Sequence, residues 1–218
     1  MIKLVVFDFD GVFTDGKVFF ENNHIKKFYN IKDGKGLATL RQNNIKYCLL
    51  SNFSNNKTLI VNDNDISELL KHLKFSKTFI GPGNKLEILD KWLKEFNVDY
   101  DEVAYIGDDI NDKQVMMKVK FSGCPNDAID EVKNIADYKC KNNGGSCSVR
   151  EFCEKVIEFN TKDNHDSKII SEIKKDFNYQ IDNFNFEKIN MLVKLILNTK
   201  NNVYFIGIGK SGNIAKHC

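Results

Sequence analysis

Short apolar runs alternate with amphipathic stretches over most of the chain. The apolar runs are rich in β-branched and aromatic residues and end in glycine or polar residues, which is typical of buried parallel strands. The stretches between them repeat apolar residues at helical spacing, most clearly at residues 85–96. Strands are predicted at residues 3–9, 45–50, 77–80, 103–106 and 121–123, and helices at residues 34–43, 64–73, 85–96, 112–119 and 149–159. The alternation predicts an α/β domain with a doubly wound parallel sheet.

Two further features complete this pattern. The apolar segments Val18–Phe20 and Lys26–Tyr29 flank the polar residues 21–24, which predicts a β-hairpin inserted after the first strand. The polar stretch 160–167 is predicted as a linker, and residues 168–218 follow it as a helical extension. We therefore expect a first domain at residues 1–159 and a second segment at residues 168–218.

Composition and charge exclude several classes of protein. The chain has 218 residues, 42% of them hydrophobic and 28% charged, which is enough to bury a core and typical of globular proteins. Its 32 basic and 30 acidic residues are interspersed, so no basic patch for nucleic acid is indicated. The apolar runs are too short to cross a membrane, and no secretory signal is visible. The six cysteines include no Cys-x-x-Cys pair, which argues against a zinc site. We expect a cytoplasmic protein with neither nucleic-acid nor membrane partners.

The residues that could take part in catalysis or ligand binding lie at the predicted strand ends. In a doubly wound sheet, ligands bind at the carboxyl ends of the strands, which meet at one edge. Each residue alone has an ordinary explanation, such as a turn, a helix cap or a solvated lysine. Their order on successive strand–helix units is difficult to explain by capping. In chain order they are Asp8 and Asp10, Ser51, Lys85, and then Asp108, Asp109 and Asp112.

Together these residues resemble the four motifs of the haloacid dehalogenase superfamily of phosphatases. The sequence VVFDFDGVFTDG is similar to the first motif, and IGDDINDK is similar to the fourth. Ser51 and Lys85 stand at the second and third motifs. Segments throughout residues 1–159, such as GPGNKLEILDKWL, resemble the narrower group that acts on 3-deoxy-D-manno-octulosonate 8-phosphate. Sialic-acid 9-phosphate phosphatases are similar as well.

The resemblance implies a mechanism with a carboxylate nucleophile. Asp8 would attack the phosphate and form an aspartyl phosphate, which splits a difficult reaction into two steps. Asp10 would protonate the leaving alkoxide and later deprotonate the attacking water. Asp8, the backbone carbonyl of Asp10 and Asp108 would hold Mg²⁺, which prefers oxygen ligands. Asp109 and Asp112 would orient this shell and Lys85.

The same resemblance implies a phosphate- and substrate-binding set. Ser51, Asn52 and Lys85 would contact the phosphate oxygens, where charge spreads in the transition state. Asp33 matches the Asp-Gly-x-Gly loop of this group, which would border the substrate. A plain turn residue is the equally weighted alternative for Asp33.

The chain departs from the pattern of this group at two recognition arginines. Relatives carry Thr-Gly-Arg where this chain has Ser-Asn-Phe at residues 51–53. They carry Gly-Gly-Arg-Gly where this chain has Gly-Gly-Ser-Cys at residues 144–147. Neither phenylalanine nor serine replaces the bidentate contacts of arginine. Either the substrate differs, or its affinity is weak, or the activity is vestigial; Arg41 and Lys57 are candidates to compensate.

The resemblance also implies an assembly. No long insertion that could form a cap domain is visible, and phosphatases of this narrower group are capless tetramers joined through the hairpin. Here the hairpin would span about Lys17–Asn30, and a lone hairpin is only marginally stable. Its apolar side chains indicate burial against another surface. We expect a homotetramer; a monomeric mass by light scattering at micromolar concentration would contradict this.

Residues 168–218 carry a second resemblance. Predicted helices at 168–179 and 186–199 precede a predicted strand at 203–208 and a glycine-rich turn at 209–212. This part is similar to the opening of the sugar isomerase domain of arabinose-5-phosphate isomerases, and a stray glycine turn is the alternative. Only the start of such a domain is present, so we expect no isomerase activity and suspect a truncated fusion. Arabinose 5-phosphate is the precursor of the eight-carbon sugar phosphate, so the pairing favours that pathway.

The sequence therefore predicts a Mg²⁺-dependent phosphatase of a keto-sugar acid. The leading substrate is 3-deoxy-D-manno-octulosonate 8-phosphate, which would place the enzyme in lipopolysaccharide biosynthesis. The first alternative is a 9-phosphate phosphatase of a sialic-acid-type sugar. The second is a non-catalytic oligomerisation module with the same fold.

Overall fold

A computed structural model describes residues 1–21, 24–52, 69–182 and 186–198. The chain divides into two compact units, Met1–Asp166 and Ser167–Cys218. The strands are β1 Leu4–Phe7, β2 Phe19–Glu21, β3 His24–Lys26, β4 Lys46–Ser51, β5 Lys77–Ile80, β6 Val103–Ile106, β7 Phe121–Cys124 and β8 Tyr138–Lys139. The helices are α1 Asp33–Gln42, α2 Lys85–Phe96, α3 Lys113–Met116, α4 Asp130–Lys133, α5 Ser148–Asp182 and α6 Phe186–Asn198. Of these described helices, none combines the length and apolar character that a membrane span requires.

Six strands of the first unit form one parallel sheet in the order β5-β4-β1-β6-β7-β8. Successive residues of β1 face opposite sides, with Val5 and Phe7 in one hydrophobic cluster and Leu4 and Val6 in another. Both faces are therefore covered, as a parallel sheet requires. The prediction of a doubly wound α/β fold is confirmed. The chain order reverses at β1, so the crevice for ligands lies at the carboxyl ends of β1 and its two neighbours.

Helix α2 shows how local sequence fixes an element that carries a site residue. The side chain of Asn84 accepts the N–H of Leu86 at 2.9 Å and caps the start of the helix. At the other end, Asn97 takes a left-handed conformation and closes the helix. The buried face includes Leu89 and Leu93, and the first residue of the helix is Lys85. Two caps and one apolar face thus set the position of that lysine.

The predicted hairpin is present after the first motif, but its second strand is His24–Lys26 and not the predicted segment Lys26–Tyr29. Strands β2 and β3 are antiparallel, with Phe20 opposite Ile25. A single bridge between Thr14 and Tyr29 ties the base of the hairpin to the loop after β1. The rings of Phe19 and Phe28 meet edge to face, with centroids 5.1 Å apart, and both remain half or more exposed. The hairpin therefore presents an aromatic surface outward from the single chain.

The structure differs from the sequence prediction mainly near the end of the first unit. Helix α5 does not stop at residue 159 but continues to Asp182, through the stretch 160–167 that was predicted as a linker. These polar residues include no glycine or proline, so nothing in them breaks a helix. Helix α4 and strand β8 are too short to give a clear pattern and were not predicted. The division into domains stays a prediction.

Several predicted features lie outside the described residues. They are the strand 203–208, the turn 209–212, the first half of the helix 64–73, and Lys57 as a candidate to compensate for an arginine.

Candidate active site

Asp8 lies at the carboxyl end of β1, the central strand of the sheet. Its backbone N–H donates to the carbonyl of Ile106 at 3.0 Å, so hydrogen bonding to β6 continues through this residue. Asp8 is only 5% exposed. Three residues later, Gly11 has a φ of +75°, a left-handed conformation that turns the chain sharply after the strand. The carboxylate of Asp8 is therefore held at the edge of the sheet where ligands bind.

Lys85 joins Asp8 to Asp112. Its Nζ lies 3.0 Å from Oδ1 of Asp8 and 2.6 Å from Oδ1 of Asp112. All three side chains are buried. A buried ammonium group needs such partners because an unpaired charge in the interior is costly. Three side chains that are distant in the sequence thus form one buried ionic network.

Burial and mutual repulsion shift the pKa values in this network. Burial is the main cause that raises the pKa of Asp8 to about 7; Asp112 adds to the rise and Lys85 opposes it. Burial lowers the pKa of Lys85, but the carboxylates of Asp112 and Asp8 together outweigh burial and raise it above its usual value. The lysine therefore stays charged near neutral pH. Its positive charge lowers the pKa of Asp8 by less than burial and the charge of Asp112 raise it.

Asp112 uses its whole carboxylate to position its neighbours. Oδ1 accepts from Lys85 at 2.6 Å and from the hydroxyl of Tyr105 at 2.5 Å. Oδ2 accepts the backbone N–H groups of Asp108 at 3.0 Å and Asp109 at 3.2 Å. A carboxylate offers about four lone-pair directions, and these four donors occupy them. Asp112 therefore orients both Lys85 and the chain that carries Asp108, and it has no direction left for a further ligand.

The acidic cluster of Asp8, Asp108 and Asp112 fits a divalent cation. One carboxylate oxygen from each residue lies within 4.8 Å of the others. Burial first, and then repulsion from Asp8 and Asp112, raise the pKa of Asp108 to about 8. A hard cation such as Mg²⁺ prefers oxygen ligands and would relieve this repulsion. Because Asp112 is fully used by hydrogen bonds, the side chains free to hold the cation are those of Asp8 and Asp108.

Gly11 keeps the chain close to Asp108. A Cβ atom built on Gly11 would lie 1.9 Å from Oδ2 of Asp108, far inside van der Waals contact. The first and fourth motifs therefore approach each other more closely than any side chain at residue 11 allows. This close approach brings the loop after β1 over the carboxylate of Asp108.

Asp10 stands on the same loop, and two groups that the sequence did not single out hold its side chain. The Nζ of Lys27 lies 2.6 Å from both Oδ1 and Oδ2 of Asp10. The hydroxyl of Thr14 donates to Oδ1 at 3.3 Å and accepts the backbone N–H groups of Gly11 and Gly16. A threonine four residues after Asp10 was a visible signal for such a loop. Lys27 had no local signal, because the hairpin brings it back to the first motif.

Ser51 and Asn52 lie at the end of β4, next to β1 in the sheet. Ser51 is buried and is the last residue of the strand. The Asn52 side chain donates to the carbonyl of Gly83 at 3.1 Å, which ties this end to the loop before α2. Oδ1 of Asn52 is buried and has no hydrogen-bond partner among the described residues. The structure thus brings the second motif to the same edge as Asp8, although it shows no contact between them.

Asp33 is fully buried at the start of α1. Its Oδ1 accepts the backbone N–H of Arg150 at 2.9 Å, which links α1 to the first turn of α5. Its Oδ2 has no hydrogen-bond partner in the described part of the chain. Burial raises the pKa of Asp33 to about 6, against the opposing effect of the Arg150 amide and charge. These contacts are structural, and a substrate contact by Asp33 stays a prediction.

Asp33→Asn is expected to change the pH dependence of stability. A carboxyl group with a raised pKa in the folded state stabilises the fold while protonated, near pH 4, and loses that contribution as pH rises through about 6. Asparagine cannot ionise and still accepts the Arg150 N–H. The variant should gain about 1–3 kcal/mol over wild type between pH 4 and pH 7, measured by reversible urea unfolding.

The matched control for this prediction is Asp127→Asn. Asp127 also accepts a backbone N–H, from Gly144 at 2.9 Å, but from an exposed position. Because burial is absent at this exposed position, the gain expected for Asp33→Asn between pH 4 and pH 7 should not appear in this variant. A constant difference for Asp33→Asn would contradict the assignment.

The loop at residues 144–148 rests on the loop after β1. The Gly145 N–H and the Ser148 hydroxyl donate to the carbonyl of Val12 at 3.0 and 3.1 Å. A Cβ on Gly144 would lie 1.9 Å from the carbonyl oxygen of Gly11, so glycine is required there. Ser146, where the resemblance implies an arginine, therefore lies in a segment that contacts the first motif. The departure from the pattern falls next to the site and not in a remote loop.

The fold and the site together indicate a class of protein. A doubly wound sheet carries a buried aspartate on its central strand, paired to a lysine and facing an acidic cluster that suits a divalent cation. A buried carboxylate in this setting has the chemistry that nucleophilic catalysis of hydrolysis requires. The pattern of haloacid dehalogenase-like hydrolases matches residues 12–152. The chain belongs to this family, and it is a phosphoric monoester hydrolase.

Individual relatives make the similarity more specific. The 3-deoxy-D-manno-octulosonate 8-phosphate phosphatase of Salmonella typhi is 32% identical over 157 residues, which cover 72% of this chain and 79% of that protein. The crystal structure of the same enzyme from Yersinia pestis has a TM-score of 0.63 at 28% identity, covering 70% of this chain and 79% of the other. That from Moraxella catarrhalis, in complex with a magnesium ion, a phosphate ion and a KDO molecule, has a TM-score of 0.65 at 26% identity, covering 78% and 92%.

Proposed function

We propose that this protein is a Mg²⁺-dependent sugar phosphatase that acts on 3-deoxy-D-manno-octulosonate 8-phosphate. The observation that carries the proposal is the buried ion pair of Asp8 with Lys85, 3.0 Å apart, beside the acidic cluster. The relatives support the substrate, because the curated enzymes that match most of the chain are named for this phosphate ester. The resemblance of residues 168–218 to arabinose-5-phosphate isomerases points to the same pathway.

In this mechanism Asp8 supplies the nucleophilic oxygen. A bond forms between its carboxylate and phosphorus while the bond from phosphorus to the sugar oxygen breaks, giving an aspartyl phosphate. Asp10 gives a proton to the leaving sugar oxygen and then takes one from the water that hydrolyses the aspartyl phosphate. Orthophosphate and the free sugar acid leave, and Asp8 is restored as a carboxylate.

The remaining residues supply charge and position. The Lys85 ammonium, 3.0 Å from Asp8, would neutralise charge on the equatorial phosphate oxygens, together with the hydroxyl of Ser51. Mg²⁺ held by Asp8, Asp108 and the carbonyl of Asp10 would supply the further positive charge that two meeting anions need. Asp112 keeps Lys85 and the Asp108 chain in place through its four hydrogen bonds. Asp109 accepts the Ile110 N–H at 2.7 Å and shapes the turn.

The substrate is settled by measuring phosphate release from two sugar phosphates. We expect release from the eight-carbon ester, with a kcat/KM at least about 10-fold above that of a sialic-acid-type 9-phosphate. Chelation of divalent cations should abolish the release, and added Mg²⁺ should restore it. Preference for the nine-carbon ester would favour the first alternative. No release from either, in a folded protein, would favour a non-catalytic oligomerisation module.

Assembly and location follow the same proposal. The exposed aromatic surface of the hairpin, where the rings of Phe19 and Phe28 meet edge to face, supports a homotetramer joined through this element. A cytoplasmic location is proposed because the substrate class is an intermediate of sugar metabolism.

A further inference from the structure

Lys27 is a largely buried cation that the mechanism above does not use. Its side chain is only 9% exposed, although lysine is among the residues least often buried. The ammonium lies 2.6 Å from both carboxylate oxygens of Asp10 and 5.9 Å from the centroid of the Phe9 ring. Such a group loses most of its hydration, and the carboxylate of Asp10 offsets part of that cost.

The backbone fixes Lys27 on both sides. Residue 26, directly before it, is paired with Phe19 across the hairpin. Tyr29, two residues after it, forms a bridge with Thr14 on the loop of the first motif. The ammonium is thus delivered to Asp10 by two separate backbone pairings, and the hairpin is needed for both.

The geometry also fixes the carboxylate of Asp10. This side chain is one-third exposed, so packing alone leaves its orientation free. Two equal contacts from one Nζ hold the carboxylate group facing the lysine, and the Thr14 hydroxyl adds a third contact at 3.3 Å. When one oxygen of Asp10 carries the proton, the other still accepts from the Lys27 ammonium. A general acid works only when its proton lies along the path to the leaving oxygen, and small displacements are costly.

We propose that Lys27 is a positioning residue that holds Asp10 in the orientation needed for proton transfer to the leaving group. The inference rests on the proposed phosphatase function, since it concerns the acid of that reaction. The hairpin would then serve the reaction as well as assembly, because it carries Lys27, the cation that orients Asp10.

The test compares two leaving groups in Lys27→Met, which keeps the length of the side chain and removes the charge. A sugar phosphate has a poor alkoxide leaving group that needs the acid, whereas p-nitrophenyl phosphate has a good leaving group that does not. We expect kcat/KM to fall about 10²-fold with the sugar phosphate and by less than about 3-fold with p-nitrophenyl phosphate. In an Asp10→Asn background, the same lysine substitution should have no further effect, because its target is absent.

Lys17→Met is the matched control. Lys17 is also a hairpin lysine in an ion pair, at 2.9 Å from Asp15, but its side chain is 73% exposed. This variant should keep wild-type kcat/KM on both substrates. If Lys27→Met does not fold, Lys27→Gln provides the same comparison with a polar side chain.

Several results would overturn the inference. Equal losses on both substrates would show a structural role, and a raised KM with unchanged kcat on the sugar phosphate would show that Lys27 binds substrate. Wild-type values for Lys27→Met on both substrates would show that the contact between Lys27 and Asp10 does not contribute to catalysis. These outcomes are distinct from failure of the proposed function, in which wild-type protein itself releases no phosphate from either compound.

Discussion

Asp8→Asn is expected to lower phosphate release by at least about 10⁴-fold, because the amide cannot attack phosphorus as a carboxylate does. The variant should nevertheless fold. Asp8 is buried beside Asp108 and Asp112, and burial and Asp112 raise its pKa to about 7, so the structure disfavours its charge. An uncharged side chain of the same shape removes this unfavourable buried charge, so the melting temperature should be equal or higher. Steady-state kinetics and thermal unfolding of one protein sample measure both effects.

The control for this substitution is Asp109→Asn at the same edge of the sheet. Asp109 is exposed, and its side chain accepts the adjacent Ile110 N–H at 2.7 Å. An amide oxygen accepts that hydrogen bond equally well, so kcat should change by less than about 5-fold. Near-full kcat in Asp8→Asn would refute its assignment as the nucleophile. A similar large loss in both variants would show that activity is sensitive to any substitution at this edge of the sheet.

Sequence alone predicts the central part of this fold and site for a definite physical reason. Parallel strands buried on both faces read as short apolar runs, and their carboxyl ends meet at one edge. Asp8, Lys85 and Asp108 each follow or approach such an end. Their convergence in the structure is therefore a consequence of topology, which the alternation of strands and helices already specifies.

The contacts that hold these groups were not predictable in the same way. Tyr105 lies inside β6 and looks like an ordinary core residue, yet its hydroxyl donates to Asp112. Lys27 is one of several hairpin lysines, and only the pairing of β2 with β3 shows which one reaches Asp10. Both depend on contacts made by the folded backbone and leave no pattern in the local sequence. The stretch 160–167 shows a different limit, because polar residues without glycine or proline continue a helix as readily as they form a loop.

The resemblance implies a recognition arginine at Ser146, and the structure shows where this residue lies. Ser146 belongs to a loop whose neighbours hydrogen-bond the carbonyl of Val12 in the first motif, while Lys85, Asp112 and the backbone of Asp108 form a connected network of hydrogen bonds. The chemistry of phosphate transfer and the recognition of the sugar are therefore separable here. Weak or altered substrate binding by an intact catalytic centre is the pattern this separation predicts, and it would appear in KM more than in kcat.

Gly11→Ala is expected to lower kcat/KM by about 10²–10³-fold and to weaken activation by Mg²⁺. The new Cβ would lie 1.9 Å from Oδ2 of Asp108, and the short side chain has no flexible end that could move away. Either the loop that carries Asp10 or the carboxylate of Asp108 must shift by more than an ångström, which separates two of the groups expected to hold the cation. The Mg²⁺ concentration that gives half-maximal activity should rise together with the loss of rate.

Gly16→Ala separates this clash from backbone strain. Gly16 lies on the same loop with a φ of +72°, almost equal to the +75° of Gly11, so alanine is strained to the same degree at both positions. A Cβ on Gly16 would have no atom within 4 Å. Both variants should lose about 1 kcal/mol of stability from the left-handed conformation, but Gly16→Ala should keep near wild-type kcat/KM and Mg²⁺ activation. Equal kinetic losses in the two variants would attribute the effect to strain and remove the argument that residue 11 must be glycine because Asp108 lies against it.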